Sequence, residues 1–195
     1  MRRRPRPGYG RAFTLVEAMV VVVIVGVLAT LATYAVRTYV FASKTGEAVS
    51  MMTTIKAGEE AYKDETFVYL DVSGTFADDR FHPSTDPRGN VKVAWANTTP
   101  TALETRFNTL GVQPDGPVMF SYAVVACGPG GGCTEFPALP TEKTKDQFGF
   151  PSAASRWGYI AVAKCNVNAD DSTNKKTYVL SHSYSNEIYV ENEGQ

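Results

Sequence analysis

From Ala18 to Val36 the chain runs for 19 residues without a charge, built mostly of Val, Ala, Leu and Ile. As a helix rising 1.5 Å per residue, this stretch spans roughly 28 Å, enough to cross the hydrocarbon core of a bilayer. Charge is sorted around it. Arg2, Arg3, Arg4, Arg6 and Arg11 precede residue 13 with no acid among them. The positive-inside rule therefore predicts an N-in orientation with the bulk of the chain extracytoplasmic. Taking those five arginines from the 19 basic residues leaves 14 against 20 acidic ones. The remainder is acidic, so it offers no basic patch and no direct nucleic-acid motif.

Three kinds of N-terminus contain such a run: a cleaved secretory signal, a plain single-span anchor, and a membrane helix that is processed and then assembled. A secretory signal ends in a small-residue A-x-A-like site. In Leu28-Ala29-Thr30-Leu31-Ala32-Thr33-Tyr34-Ala35 no two alanines are separated by one residue. Glu17 also interrupts the apolar segment near its start, where an unpartnered carboxylate in lipid costs a few kcal/mol. Neither a signal peptide nor a plain anchor has a use for it.

Arg11-Ala12-Phe13-Thr14-Leu15-Val16-Glu17 and the apolar run behind it resemble the prepilin processing site of type IV pilins and of type II secretion pseudopilins. The resemblance covers about residues 8 to 40, with Gly26 at a glycine common in family helices. It implies cleavage between Ala12 and Phe13 by a prepilin peptidase on the cytoplasmic side, then N-methylation of Phe13. Glu17 becomes the fifth residue of a 183-residue mature chain. It further implies assembly with other pilin subunits on an inner-membrane platform, with Glu17 of one subunit pairing with the Phe13 amine of another and setting the axial register. A carboxylate in an apolar core is stabilised by such a partner. Alternatively, Glu17 only complements its own helix N-terminus, worth a few tenths to about 1 kcal/mol. Ala12 stands where the family usually has Gly, and Tyr34 where many major pilins have a kinking proline. The missing proline implies a less kinked helix and points toward minor pilins and pseudopilins.

The helical pattern continues beyond Arg37. Ala48, Met51, Ile55, Gly58 and Tyr62 recur at spacings of three and four and share one face, while Lys56, Glu59, Glu60 and Lys63 fall mostly elsewhere. No proline occurs between Pro7 and Pro83. A helix from Phe13 to about Tyr62 is expected, with Gly46 and Gly58 as soft points and a bend or local melting near Gly46.

Residues 67–116 hold turn formers such as Gly74, Asp78-Asp79 and Pro83 and read as a connecting region. Within it, Val91–Ala96 is expected as a short strand and Thr101–Leu110 as a short helix, capped by Thr101 with Glu104 and closed by Gly111. Val118–Ala126, Trp157–Cys165, Thr177–Ser183 and Glu187–Val190 have the β-branched and aromatic content of strands in an antiparallel meander, with Ser185-Asn186 turning the last hairpin. The fold class is thus α+β: a long N-terminal α-helix whose C-terminal half packs on an antiparallel β-sheet head, in agreement with the pilin fold. The expected organisation is a leader over 1–12, a membrane or filament-core helix over 13–36, its amphipathic continuation over 37–66, and a globular head over 67–195.

Three cysteines suit an exported protein. Cys127 and Cys133 bracket Gly128-Pro129-Gly130-Gly131-Gly132, a loop easily closed by a disulfide. If the strands before Cys127 and after Arg156 pair, Cys165 lies near the far end of the ladder, which favours Cys127–Cys133. Pairing of either residue with Cys165, or no bridge, stays open at the sequence level.

Catalytic constellations are scarce. His82 and His182 stand in no metal-ligand spacing and beside no nucleophile motif, and both read as structural or exposed. The glycine-rich loop lacks the Lys-Ser/Thr tail of a phosphate-binding loop. Asn166, Asn168, Asp170, Asp171 and Asn174 offer oxygen ligands, but without the distal Glu of a calcium loop they read as a turn. Tyr69, Trp95 and Tyr184 read as core or subunit-contact aromatics. No enzyme and no cofactor is expected. The expected function is a filament subunit serving adhesion, motility or DNA uptake, with a pseudopilin or a non-polymerising membrane-anchored binding protein as alternatives. Its expected location is the inner membrane before assembly and an extracellular or periplasmic filament after it.

Overall fold

The fold was determined as a computed structural model, which describes residues 13–83, 87–89, 91–96, 99–130, 133, 135–141, 143–150, 156–167 and 176–193. Helix α1 covers Leu15–Thr66, and its residues divide between two compact units, one ending at Tyr39 and one running from Val40 to Gln195. The second unit contains, besides the rest of α1, α2 (Ala102–Thr109) and the strands β1 (Ser121–Cys127), β2 (Gly158–Cys165), β3 (Thr177–His182) and β4 (Tyr189–Glu191).

The four strands pair in chain order as an antiparallel meander. Cys127 lies opposite Gly158, Ser121 opposite Lys164, and Cys165 opposite Thr177, so Cys127 and Cys165 sit at opposite ends of the ladder. Each strand begins or ends within a few residues of its expected position. The first starts furthest from its expected position, three residues late at Ser121, while in the last pair Tyr189 and Glu191 oppose Leu180 and Tyr178. Val91–Ala96 does not form a strand. Only Val93 bridges Val118, through N–H···O bonds of 2.8 and 2.9 Å, because the chain around it turns away after one pair.

One face of the sheet packs on α1. Tyr122, Val124, Tyr159, Ala161, Ala163 and Val179 meet Ala48, Met52 and Ile55 in one buried cluster. Burying side chains of this size stabilises the unit by about 1.5–3 kcal/mol each. The helix passes Gly46 without interruption, contrary to the expected soft point, because Thr45 and Ala48 on either side are buried in the head. It continues to Thr66, one turn past the expected end, where Phe67 at φ 65° donates its N–H to Lys63 O and ends it. Lys56 Nζ donates to Ser185 O at 2.7 Å and to Asn186 Oδ1 at 2.9 Å, tying the β3–β4 connection to the helix.

The opposite sheet face is covered too. Ala123, Val125, Ile160, Val162 and Leu180 pack with Phe76, Phe81, Phe136, Phe148 and Phe150. Strands buried on both faces read as continuous apolar runs, and every residue of β1 and β2 is buried. The connecting region also protects the outer edge of β1, a place where unpaired backbone groups invite strand addition. His82 and Tyr122 exchange backbone bonds of 2.9 and 2.7 Å, and Ser73 N–H donates to Val124 O at 2.8 Å. Helix α2 begins as expected, Thr101 Oγ1 accepting from Glu104 N–H at 3.1 Å, and Gly111 follows it at φ 70°.

Candidate functional site

Thr14 and Glu17 together close the N-terminus of α1. Thr14 stands just before the first helical residue and Glu17 three positions on, the spacing of a capping box. Thr14 N–H and Oγ1–H both donate to Glu17 Oε2 at 2.9 Å, and Glu17 N–H donates back to Thr14 Oγ1 at 3.2 Å. Two of the backbone donors that a helix start leaves unpaired are thereby satisfied. The carboxylate is held by one oxygen only; among the described residues Oε1 has no partner in these contacts. Phe13, immediately before the box, is 80% exposed.

Behind the box the helix presents apolar side chains on every side. Residues 13–40 are all exposed, including Val20 to Val25, Leu28 and Leu31. The segment is long and apolar enough to cross a membrane. Its few hydroxyls are satisfied internally: Thr30 donates to Val27 O at 2.7 Å, and Thr33 to Ala29 O at 2.9 Å. This matters in hydrocarbon, where an unpaired polar group costs several kcal/mol. Tyr34 and Tyr39 are exposed at the far end of the run, the position where aromatic side chains favour a membrane–water interface.

The remaining residues singled out from the sequence lie in the second unit. Cys127 and Cys133 are bonded, with their Cα atoms 4.9 Å apart, and Cys165 is a buried free thiol. His82 and His182 are both buried, each with Nε2 3.0 Å from a carbonyl oxygen, of Trp95 and Phe148 respectively. Burial lowers the pKa of both. They are structural. Tyr69 and Trp95 are core residues, and Tyr184 is half-buried with the Arg156 guanidinium over its ring. Among the described residues no group of three His, Cys, Asp or Glu side chains is placed to hold a metal. Ala12, Gly131, Gly132, Asn168, Asp170, Asp171 and Asn174 lie outside the described residues.

Two features escaped the sequence reading. Glu59, grouped with the residues that fall mostly off the apolar face of α1, is fully buried and accepts Leu70 N–H at 3.0 Å. Desolvation, aided by Asp71 and Glu60, pushes its pKa up to about 8. The second is the Thr14–Glu17 box, whose signal was there to be read: the T-x-x-E spacing is the same one that marks Thr101 and Glu104.

No curated protein and no solved structure matches the chain. Residues 10–33 match the family model of the prokaryotic N-terminal methylation motif, a stretch that takes in Phe13, the capping box and the first part of the exposed apolar helix. With an α+β head of long helix on antiparallel sheet behind it, the chain carries the prepilin-type signature of the type IV pilins and pseudopilins.

Proposed function

We propose that this protein is a filament subunit of a type IV pilus system, cut between Ala12 and Phe13 by prepilin peptidase, N-methylated at Phe13, and polymerised through residues 13–36. The observation that carries this reading is the methylation motif on a helix whose apolar side chains are exposed on all sides. Such a surface needs cover, first from lipid with the N-terminus inside, then from the corresponding helices of other subunits. Each Val, Leu or Ile side chain removed from water contributes about 1.5–3 kcal/mol. Residues 37–66 continue the helix into the head of 67–195, which lies outside the inner membrane before assembly and on the extracellular or periplasmic filament afterwards.

Glu17 supplies register. One carboxylate oxygen is committed to its own capping box, which fixes the group on the helix; the other is available to the methylated amine of a neighbouring Phe13. At 4 Å and an effective dielectric of about 20, such a pair gains about 4 kcal/mol, comparable to the cost of desolvating the carboxylate. A pseudopilin of a type II secretion system uses the same physics in a different machine.

Intact-mass measurement on protein recovered from the native membrane is expected to show a chain beginning at methylated Phe13; a retained arginine-rich leader would overturn the filament reading in favour of an anchor. Glu17→Ala is expected to leave membrane insertion intact and reduce incorporation into sheared filaments by at least tenfold. Unchanged incorporation would remove the register role.

A further inference from the structure

We infer that His182 is an acid-sensitive latch: its neutral ring clamps the segment that covers the outer sheet face, and proton uptake by the ring releases that segment. The residue ends β3, lies opposite Ile160 of β2 and is buried. Tyr184 N–H donates to its Nδ1 at 3.2 Å. Nδ1 is therefore an acceptor, so the proton of the neutral ring sits on Nε2. Nε2–H donates to Phe148 O at 3.0 Å. A single tautomer thus joins the start of the β3–β4 connection to the 3₁₀ turn over Lys145–Phe148 in the cover, with both ring nitrogens in use.

The closed site has no place for a second proton. On Nδ1 it would point at Tyr184 N–H, donor against donor, and that bond would be lost. A charged ring would also need hydration that the packing denies it. The hollow beside the ring, among Leu139, Phe148, Phe150, Ile160 and Leu180, holds about 10 Å³, no more than one water requires. Aromatic rings complete the enclosure. Tyr189 stacks on the imidazole with centroids 5.9 Å apart and planes 8° from parallel, and Phe150 meets it edge-on at 5.2 Å. The ring can be solvated only if Phe148 and Phe150 move away with the cover.

Surrounding charges do not reverse this. Lys56 of α1 opposes a positive ring, Glu187 of the β3–β4 connection favours one, and burial outweighs both, holding the pKa below the usual 6.5. On the cover, Lys143 lies over the Phe148 ring at 5.8 Å, Lys145 donates to Phe136 O, and Asp146 follows on the 3₁₀ turn. Arg156 lies over the ring of Tyr184 at 4.4 Å. An open latch takes up its proton near pH 6.5, and the closed one only at lower pH. The opening equilibrium therefore rises as pH falls below 6.5, by up to about tenfold per pH unit, until the closed ring titrates as well. Opening lifts Phe148 and Phe150 from Val125, Ile160, Val162 and Leu180, while the Cys127–Cys133 bridge keeps the segment tethered to β1. The latch lies wholly within the unit Val40–Gln195, so its failure would leave the filament reading untouched.

The test is amide exchange on the full chain in detergent micelles, disulfide intact, at about pH 7.5 and about pH 5, corrected for the chemical exchange rate. Protection over residues 145–150 is expected to fall about tenfold more than protection over β2. His182→Gln keeps a donor for Phe148 O and does not titrate, so it should abolish that difference. His82→Gln removes the other buried histidine, whose bond goes to Trp95 O, and should retain it. Equal loss over both segments, a difference that survives His182→Gln, or one that disappears in His82→Gln would overturn the proposal. Should His182→Gln fail to fold, nitrogen NMR of the parent His182 decides: the Nε2–H tautomer at neutral pH with a midpoint below 6.5 supports the latch, and the other tautomer or a higher midpoint overturns it.

Discussion

Glu59 shows what one buried carboxyl does to a helix end. The chain leaves α1 through Phe67 and folds back, which brings Leu70 N–H against the helix, where only a side chain can accept it. Beside this contact, Lys63 Nζ donates to Tyr69 OH, which donates to Glu60 Oε1, both at 2.9 Å. Glu59 is buried with its second oxygen unpartnered and its pKa raised to about 8. The folded state therefore holds a proton that the unfolded chain releases near pH 4.5. Its contribution to stability falls as pH rises from there towards 8, at about 1.4 kcal/mol per pH unit. Glu59→Gln keeps the acceptor and cannot ionise, so its denaturant midpoint should gain on that of the parent as pH rises over that window and exceed it at pH 8. Gly58 is the second residue whose role is decided by contact. A Cβ there would collide with the carbonyl of Leu110. Gly58→Ala should thus destabilise by about 1–3 kcal/mol in urea unfolding, although alanine in an open helix gains about 1 kcal/mol over glycine.

At the scale of elements, the disulfide closes the turn between β1 and the segment that covers the outer sheet face. Cys127 is buried in the cluster with Phe136, Phe148 and Phe150, and Cys133 packs against it. Among its described residues that segment has little regular structure beyond a 3₁₀ turn over Lys145–Phe148, started by a capping box of Thr144 and Gln147. Its attachment rests on aromatic burial and on the bridge. Cys133→Ser should cost about 2 kcal/mol and raise amide exchange over residues 135–150 more than over β2 and β3, read by exchange mass spectrometry. Equal protection in both forms would assign the cover to the phenylalanines alone. The meander itself was legible from β-branched and aromatic runs. Its double burial was also written in β1 and β2, apolar at successive positions, but the phenylalanines that do the covering are scattered through irregular chain with no period to reveal them.

For the molecule as a whole, the chain divides at Tyr39 into a unit whose described residues form an exposed, largely apolar helix and a unit with its own core. Residues 40–195 alone should therefore be soluble and melt cooperatively by circular dichroism, while the unit up to Tyr39 should govern membrane insertion. A fragment without a cooperative melt would show that the head depends on the earlier turns. Local rules were enough for the apolar run, the sorted arginines, the motif around Phe13 and Glu17, the helix period beyond Arg37 and the order of the strands, and they favoured Cys127–Cys133 without closing the alternatives that the structure settles. Each is a statement about neighbours in the chain or a simple period, and those survive without coordinates. Only the tertiary structure decided that Glu59 turns inward, that Gly58 is a contact point, that Gly46 stays helical, and that Trp95 and Tyr122 are buried with donors unmet. These follow from which distant backbone groups arrive beside them, Leu70, Leu110 and the segment from Gln113, and no spacing within the chain encodes that arrival.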